Sequence, residues 1–402
     1  MSSSRNSVRS HSAAPPQRGG QRKHVLAVFA SVSLAFALLA GVSSAAPAQS
    51  TGSARATATS ITFVDVAGGA NFQQFFRQII PQAEKDLGIN ISYVPSSAAE
   101  LLQRLKGGQA NQDVVLLKPD TLISLLNANV GLVHLQSRRP KIPNLSLVPR
   151  ADLTTVLGLP IYGQGVPFWR DQFGIIYDSA KIRTPPKSWS NFYNRRNEWA
   201  GHIGIIRPDA ASGGGRIMMR DFLLGSGVDE RGSFEVLQKT DKWKQGLQKF
   251  RSFSDAFYKP AAGSPPELFQ QFASGNVWIT EYAIDFTLWS RDQGLLPKTV
   301  KAAFFPSATY GGAAYLAVPR NISGTQKLAA YKLVNWMLSL KTQRNLLTVM
   351  HQYPGITAWK KMPASAFKDI PSWDAVQKFR TPLQNADVFN WIKQNGAQYL
   401  GN

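Results

Sequence analysis

The chain contains no cysteine. Disulfides and thiolate metal sites are excluded with it, as is a lipid anchor on a cysteine behind an export signal. Histidine is scarce, five in 402 residues. His134, His202 and His351 stand singly, outside any H-E-x-x-H pattern, and no G-x-S-x-G elbow occurs. Acids are few: 24 Asp and Glu face 45 Lys and Arg, for a formal net charge of +21. Beyond residue 60 the basic residues are spread from Arg77 to Lys393, singly or in pairs such as Arg138-Arg139, Arg195-Arg196 and Lys360-Lys361. A nucleic-acid footprint needs a denser block, so the expected partner list holds no nucleic acid. A solvated basic surface, suited to an anionic membrane face or partner, fits better. Long apolar runs are missing after residue 50.

One long apolar run does exist, at the start. Residues 1–24 are polar and basic, with Arg5, Arg9, Arg18, Arg22 and Lys23 and no acid. Val25 to Val42 is apolar, and small residues lead to Ala46-Pro47-Ala48. That order describes a secretory signal peptide with an A-x-A cleavage site. Residues 1–48 are therefore expected to be removed and the chain exported to the periplasm. A membrane anchor of about 20 apolar residues is the competing reading; the small-residue exit favours cleavage. Residues 49–60, rich in Ser, Thr and Ala, read as a flexible mature N-terminus. The remaining chain, about 350 residues, suffices for two ordinary domains held by their cores alone.

From Ile61 the apolar pattern alternates between the periods of strand and helix. Ile61 to Val66, Ile89 to Val94 and Asp113 to Leu117 read as strands. Phe72 to Leu87 reads as a helix, with Phe72, Phe75, Phe76, Ile79 and Ile80 at helical spacing. A helix capped at Ser96-Ser97 and ending near Gly107-Gly108, and another from Thr121 to Asn127, complete a β-α-β-α-β-α pattern. Such a pattern calls for a parallel sheet flanked by helices. Trp189, Trp199, Trp243 and Trp336 sit among apolar residues at helical spacing and are expected in the core.

Residues 160–193 carry a further signature. A Gly/Pro-rich aromatic segment, Pro160-Ile161-Tyr162-Gly163-Gln164-Gly165-Val166-Pro167-Phe168-Trp169, leads into Phe173-Gly174-Ile175-Ile176-Tyr177-Asp178. A Pro185-Pro186-Lys187-Ser188-Trp189 helix entry follows. This stretch resembles the first interdomain crossover of the type II solute-binding proteins that serve ABC importers. The resemblance continues through Ile203 to Pro208, the helix beginning near Gly214, and Phe272-Ala273-Ser274-Gly275. Lys301 to Pro306 and Ala313 to Pro319 resemble a strand pair forming the return crossover, and Ala330 to Gln343 the helix that re-enters the first domain. It implies an α/β, two-lobed fold, each lobe a mostly parallel sheet flanked by helices, joined by a two-strand hinge. Lobe 1 is expected at 61–165 and 310–402, lobe 2 at 166–309. It also implies capture of a small solute by hinge closure, delivery to an inner-membrane ABC permease, a monomer, no cofactor and no catalysis.

In such a fold ligands bind at the carboxyl ends of the strands, between the lobes. Gly69 and Asn71 lie in the loop after the first strand, where backbone N–H groups and a helix N-terminus can approach a ligand; a tight packing turn is an equal reading. Ser212, Gly214 and Arg216 form a possible anion cradle, although the Gly-Lys-Ser/Thr ending of a Walker loop is missing. Glu281, Tyr282 and Asp285 place acids beside an aromatic ring, which suits a cationic amine; acids stabilising a helix N-terminus explain them nearly as well. Asp120 after the third strand shares that double reading. Tyr162 and Trp169 are expected at the cleft edge, and Tyr310 beside the return crossover. The favoured cargo is an organic cation such as a polyamine or thiamine-like compound. An anion- or iron-binding member of the same fold and a secreted glycoside hydrolase are the alternatives; an iron site wants two or more Tyr with His or acid, for which Tyr282 and Tyr310 are the candidates.

Overall fold

The computed structural model describes residues 58–109, 111–305 and 309–401. The expected signal peptide, and the expected flexible segment up to residue 57, lie outside the described residues. The chain opens with β1 (Ser60–Asp65), α1 (Ala70–Leu87), β2 (Asn90–Pro95), α2 (Ala98–Lys106), β3 (Val114–Leu117) and α3 (Pro119–Asn127). Helix α1 buries Phe72, Phe75, Phe76, Ile79, Ile80 and Ala83 along one face. Each large side chain so buried contributes about 1.5–3 kcal/mol. It stops at Gly88, whose φ of 64° lets its N–H reach the Glu84 carbonyl. Ser97 caps α2 by accepting from the Glu100 N–H. Strand β1 pairs in parallel with both β2 and β3.

Short 3-10 turns and the hairpin of β4 (Thr155–Val156) and β5 (Leu159–Pro160) lead to β6 (Val166–Arg170) and β7 (Phe173–Asp178). These two strands join different sheets. Later elements are α4 (Trp189–Asn194), α5 (Gly214–Gly225), α6 (Phe234–Leu237), α7 (Asp241–Ser254), α8 (Pro265–Ala273), β8 (Ile279–Ala283), α9 (Ile284–Asp292) and β9 (Val300–Ala303). They are followed by β10 (Thr309–Tyr310), β11 (Ala314–Ala317), α10 (Gly324–Met337), α11 (Leu340–Met350), β12 (Tyr353–Pro354), α12 (Trp373–Val376), β13 (Arg380–Thr381) and α13 (Ala386–Asn395).

The larger sheet has the order β12-β6-β11-β3-β1-β2. Strands β1, β2, β3 and β6 run one way, and β11 and β12 run against them. The smaller sheet is β8-β7-β9, with β7 antiparallel to both neighbours. Ile203 and Ile206 extend it through parallel bridges to Phe257, Ile279 and Ala262. Each sheet keeps its own packed face: Phe63, Phe76 and Leu316 on one, Ile175, Phe222 and Phe253 on the other.

Three details differ from the sequence reading. Val166–Arg170 belongs to the larger sheet, so the chain changes sheets at Asp171-Gln172 rather than after residue 165. The runs 301–306 and 313–319 do not pair: β9 lies in the smaller sheet and β11 in the larger. Helix α13, within the stretch assigned to lobe 1, packs Val388 and Ile392 against Met219 and Phe222 beside the smaller sheet. Apolar periodicity marks these segments but says nothing of which neighbour covers them. Trp189, Trp199 and Trp243 are buried. Trp336 is half-buried instead, because its indole N–H reaches out to Asp86 Oδ2 at 2.9 Å.

Candidate functional site

The two sheet-to-sheet passages lie side by side. The Asp171 N–H donates to the Gly312 carbonyl at 3.0 Å, so the first passage, 171–172, is laced to the return passage, 311–313. Around this junction the loops at the ends of β1, β3 and β8 converge.

The end of β1 is set by Asp65. Its carboxylate accepts the N–H groups of Ala67 at 3.0 Å and Gly68 at 2.7 Å and the Tyr93 hydroxyl at 2.8 Å. Burial raises its pKa, and these donors pull the other way. The loop N–H of Gly68 is therefore taken by Asp65, which the sequence reading passed over. Gly69 is exposed and serves as the N-cap of α1. This turn aims Asn71, which is 2 % exposed, so that its Nδ2 donates to Asp285 Oδ2 at 3.4 Å. The bond joins a helix of the larger sheet to the first turn of α9.

Asp285 is itself buried. Burial, and then the negative charge of Asp171, push its carboxyl up to about 7. Asp171 is half-buried and accepts the Trp169 indole N–H at 2.7 Å. Burial raises its pKa too, against that bond and the charges of Lys118 and Arg380. Two carboxylates with raised pKa values thus face one region, a pattern common at functional sites. Asp171 was the member missed by sequence reading, because a two-residue link between strands has no periodic signal.

Aromatic rings frame the pair. Trp169 stacks on Phe72 at 3.9 Å, 10° from parallel. Phe173 meets Tyr282 edge-on at 5.6 Å and Tyr310 at 5.3 Å. Burial holds both tyrosine hydroxyls above their usual pKa, so they stay neutral phenols. Among the described residues no group of three or more His, Asp or Glu is placed to hold a metal ion.

Asp120 is exposed and accepts the Thr121 N–H at 2.9 Å. Its charge reaches Arg216, whose pKa is lowered by burial and partly restored by Asp120. Arg216 donates to the Ala211 carbonyl at 3.3 Å, and its Nε and the nearby Ser212 Oγ are buried without a partner among the described residues. The glycines expected to cradle an anion have a packing duty. A Cβ on Gly214 would sit 3.0 Å from the Tyr282 ring, and one on Gly215 only 1.8 Å from the Ile206 carbonyl.

Two candidates sit elsewhere. Tyr162 is 63 % exposed, with its carbonyl 3.0 Å from His134 Nδ1, out on the surface turn. Glu281 is 2 % exposed and lies behind the site. It faces Asp221, and burial with that neighbouring acid drives its pKa well up. Burial raises Asp221 to about 7, against the pull of Arg220 and the hydrogen bond to Glu281. Arg220 forks onto Glu230 with two bonds of 2.7 Å. Strand alternation explains the split: Glu281 and Tyr282 point to opposite faces of β8.

Residues 78–375 match the model of the family described as bacterial extracellular solute-binding protein. The chain belongs to this family. Comparison with curated protein sequences gives no match. Among solved structures, maltose-bound MalE3 from T. maritima is 16 % identical, with a TM-score of 0.70 over 85 % of this chain and 95 % of that one. The spermidine/putrescine ABC transporter substrate-binding protein PotD from Streptococcus pneumoniae is 12 % identical, with a TM-score of 0.66 over 86 % and 100 %. An ABC transporter protein from Clostridium perfringens ATCC 13124 is 17 % identical, with a TM-score of 0.62 over 85 % and 98 %.

These likenesses establish the periplasmic-binding-protein fold. The family is that of extracellular solute-binding proteins, and two of these structural neighbours are ABC transporter proteins. The family is one of solute-binding proteins rather than enzymes, which sets aside the glycoside hydrolase alternative. Among the described residues no helix is long and apolar enough to cross a membrane.

Proposed function

We propose that this protein captures a small organic cation, of polyamine or thiamine-like character, between its two lobes and carries it to a membrane permease in the periplasm. The supporting observation is the pairing of Asp171 with Asp285 inside a frame of Trp169, Tyr282 and Tyr310. A cation there gains ion pairing from both acids and cation–π attraction from the rings. It also supplies a counter-charge against the burial, and then the Asp171 charge, that raise the Asp285 pKa.

Closure follows from where these groups sit. Asn71 and Trp169 belong to elements of the larger sheet, Tyr282 and Asp285 to elements of the smaller, and Asp171 to the passage between them. A ligand touching all of them binds the closed arrangement better than the open one, and that difference drives the equilibrium. The test is a thermal-shift screen of polyamines, thiamine, amino acids, sugars and oxyanions, with solution scattering on each hit. Amines are expected to raise Tm and shrink the radius of gyration. Stabilisation by sugars or oxyanions alone would replace this reading.

A further inference from the structure

Next to the acid pair lies a second feature of opposite charge. A cavity of about 230 Å³ opens beside the return passage, walled by Gly311, Gly312, Tyr310, Tyr315, Arg170 and Arg380. Such a volume is below the ~300 Å³ floor of drug-sized pockets, so it suits a small group rather than a disaccharide.

The two arginines differ in how well they are satisfied. Arg170 spends its whole fork: Nε donates to the Pro354 carbonyl at 3.2 Å, Nη2 to Gly355 at 2.7 Å, and Nη1 pairs with Asp152 at 2.6 Å. That pairing also commits Asp152, the acid on the cavity wall. Arg380 donates from Nη2 to the Gly312 carbonyl at 3.0 Å and lies 5.0 Å over the Trp373 ring. Its Nε is buried without a partner among the described residues. Burial and the positive charge of Arg170 lower its pKa to about 10. A guanidinium in this state lacks the carboxylate that such a fork is shaped to hold.

Arg380 and the acid pair are close enough to feel each other, since the Arg380 charge acts on Asp171, and Asp171 is bonded to Gly312 in the cavity wall. We infer that this cavity is a carboxylate subsite, and that the cargo is a small zwitterion. Its ammonium group sits at Asp171 and Asp285, and its carboxylate sits on Arg380. The inference rests on the cation reading above and narrows it from any organic amine to an amino-carboxylate. It also accounts for acids and an arginine with an unpartnered Nε among the described residues meeting at one junction. Opposite charges on one small ligand answer both, whereas a diamine leaves Arg380 facing a like charge.

The test is calorimetric titration of the exported chain with putrescine, the amino acid of the same chain length, lysine and succinate. Wild-type protein is expected to bind an amino acid about ten- to a hundredfold more tightly than putrescine, the worth of one charge-assisted pairing. Arg380→Gln should remove that preference, weakening the amino acids and tightening putrescine as the like charge it faces is lost; Asp285→Asn should weaken both. Arg380→Lys keeps the charge but loses the fork, and covers the case in which the glutamine variant fails to fold. Putrescine binding as tight as that of either amino acid, sensitive to Asp285→Asn but not to Arg380→Gln, overturns the subsite and leaves the cation reading intact. Succinate binding that needs Arg380 but not Asp285 overturns the zwitterion and the cation reading together. No binding by any of the four overturns the inference as well.

Discussion

Replacing Asp285 by asparagine should make the unliganded protein more stable at neutral pH while weakening its grip on amines. The carboxyl has an ordinary pKa of 3.8 and stands at about 7 in the folded chain. Three units at 1.36 kcal/mol each amount to ~4 kcal/mol, of which relaxation on ionisation leaves ~2–4 kcal/mol measurable. Because the folded-state pKa is raised, the folded protein holds this proton where the unfolded chain has lost it. The stabilisation is full below pH ~4, declines as pH rises, and is gone above pH ~7. The asparagine variant cannot lose it, and its amide oxygen can still accept from Asn71 Nδ2. Wild type and variant should therefore have similar Tm near pH 4 and diverge towards pH 7. With ~1 kcal/mol worth roughly 1–2 °C in a chain this long, the gap should reach several degrees. Differential scanning calorimetry across pH 4–8 measures it. Comparing the two proteins cancels the titration of Asp65, Asp221 and Glu281, whose pKa values are also raised. A variant less stable at pH 7, or a gap that does not change with pH, would refute the reasoning.

Other substitutions probe the frame of the site. Gly215→Ala drives a methyl group to 1.8 Å from the Ile206 carbonyl, and should cost ~3 kcal/mol in urea unfolding or prevent folding. Arg220→Met leaves Glu230 buried without its two-bond partner, and should cost ~3–5 kcal/mol by the same assay. Trp169→Phe keeps an aromatic ring against Phe72 but removes the N–H that holds Asp171. It should weaken amine binding severalfold in a calorimetric titration, with a stability loss of ~1–2 kcal/mol.

Much of the fold was legible because its elements bury one face at the expected period. Phe72, Phe75, Phe76, Ile79 and Ile80 announce α1, and the apolar run at 113–117 announces the buried strand β3. Sheet membership was less legible. Val166–Arg170 and Phe173–Asp178 look like one strand, and only pairing shows that the chain changes sheets at Asp171. Of the candidate residues, Asp285, Tyr282, Trp169, Asn71 and Tyr310 come together, each near the end of a strand or just beyond it. Glu281 lies apart from them against Asp221, because composition cannot tell the two faces of β8 apart. Arg380 lies some seventy residues beyond Tyr310, and only the β10–β13 pairing brings it beside the junction. In Ser212 to Arg216, the expected anion cradle, the glycines also let α5 press onto Ile206 and Tyr282, a packing need that the sequence does not reveal.

The acid pair as a cation site is the central claim, and proton release on binding tests it most directly. A cation seated between Asp171 and Asp285 favours both charges, so it must expel the proton that Asp285 holds. Amine hits titrated calorimetrically at pH 7, in buffers of different ionisation enthalpy, should release ~0.5 proton per ligand. The release should rise towards one near pH 6 and vanish in Asp285→Asn. Tight amine binding with no proton release at either pH, or with proton uptake, would contradict the account.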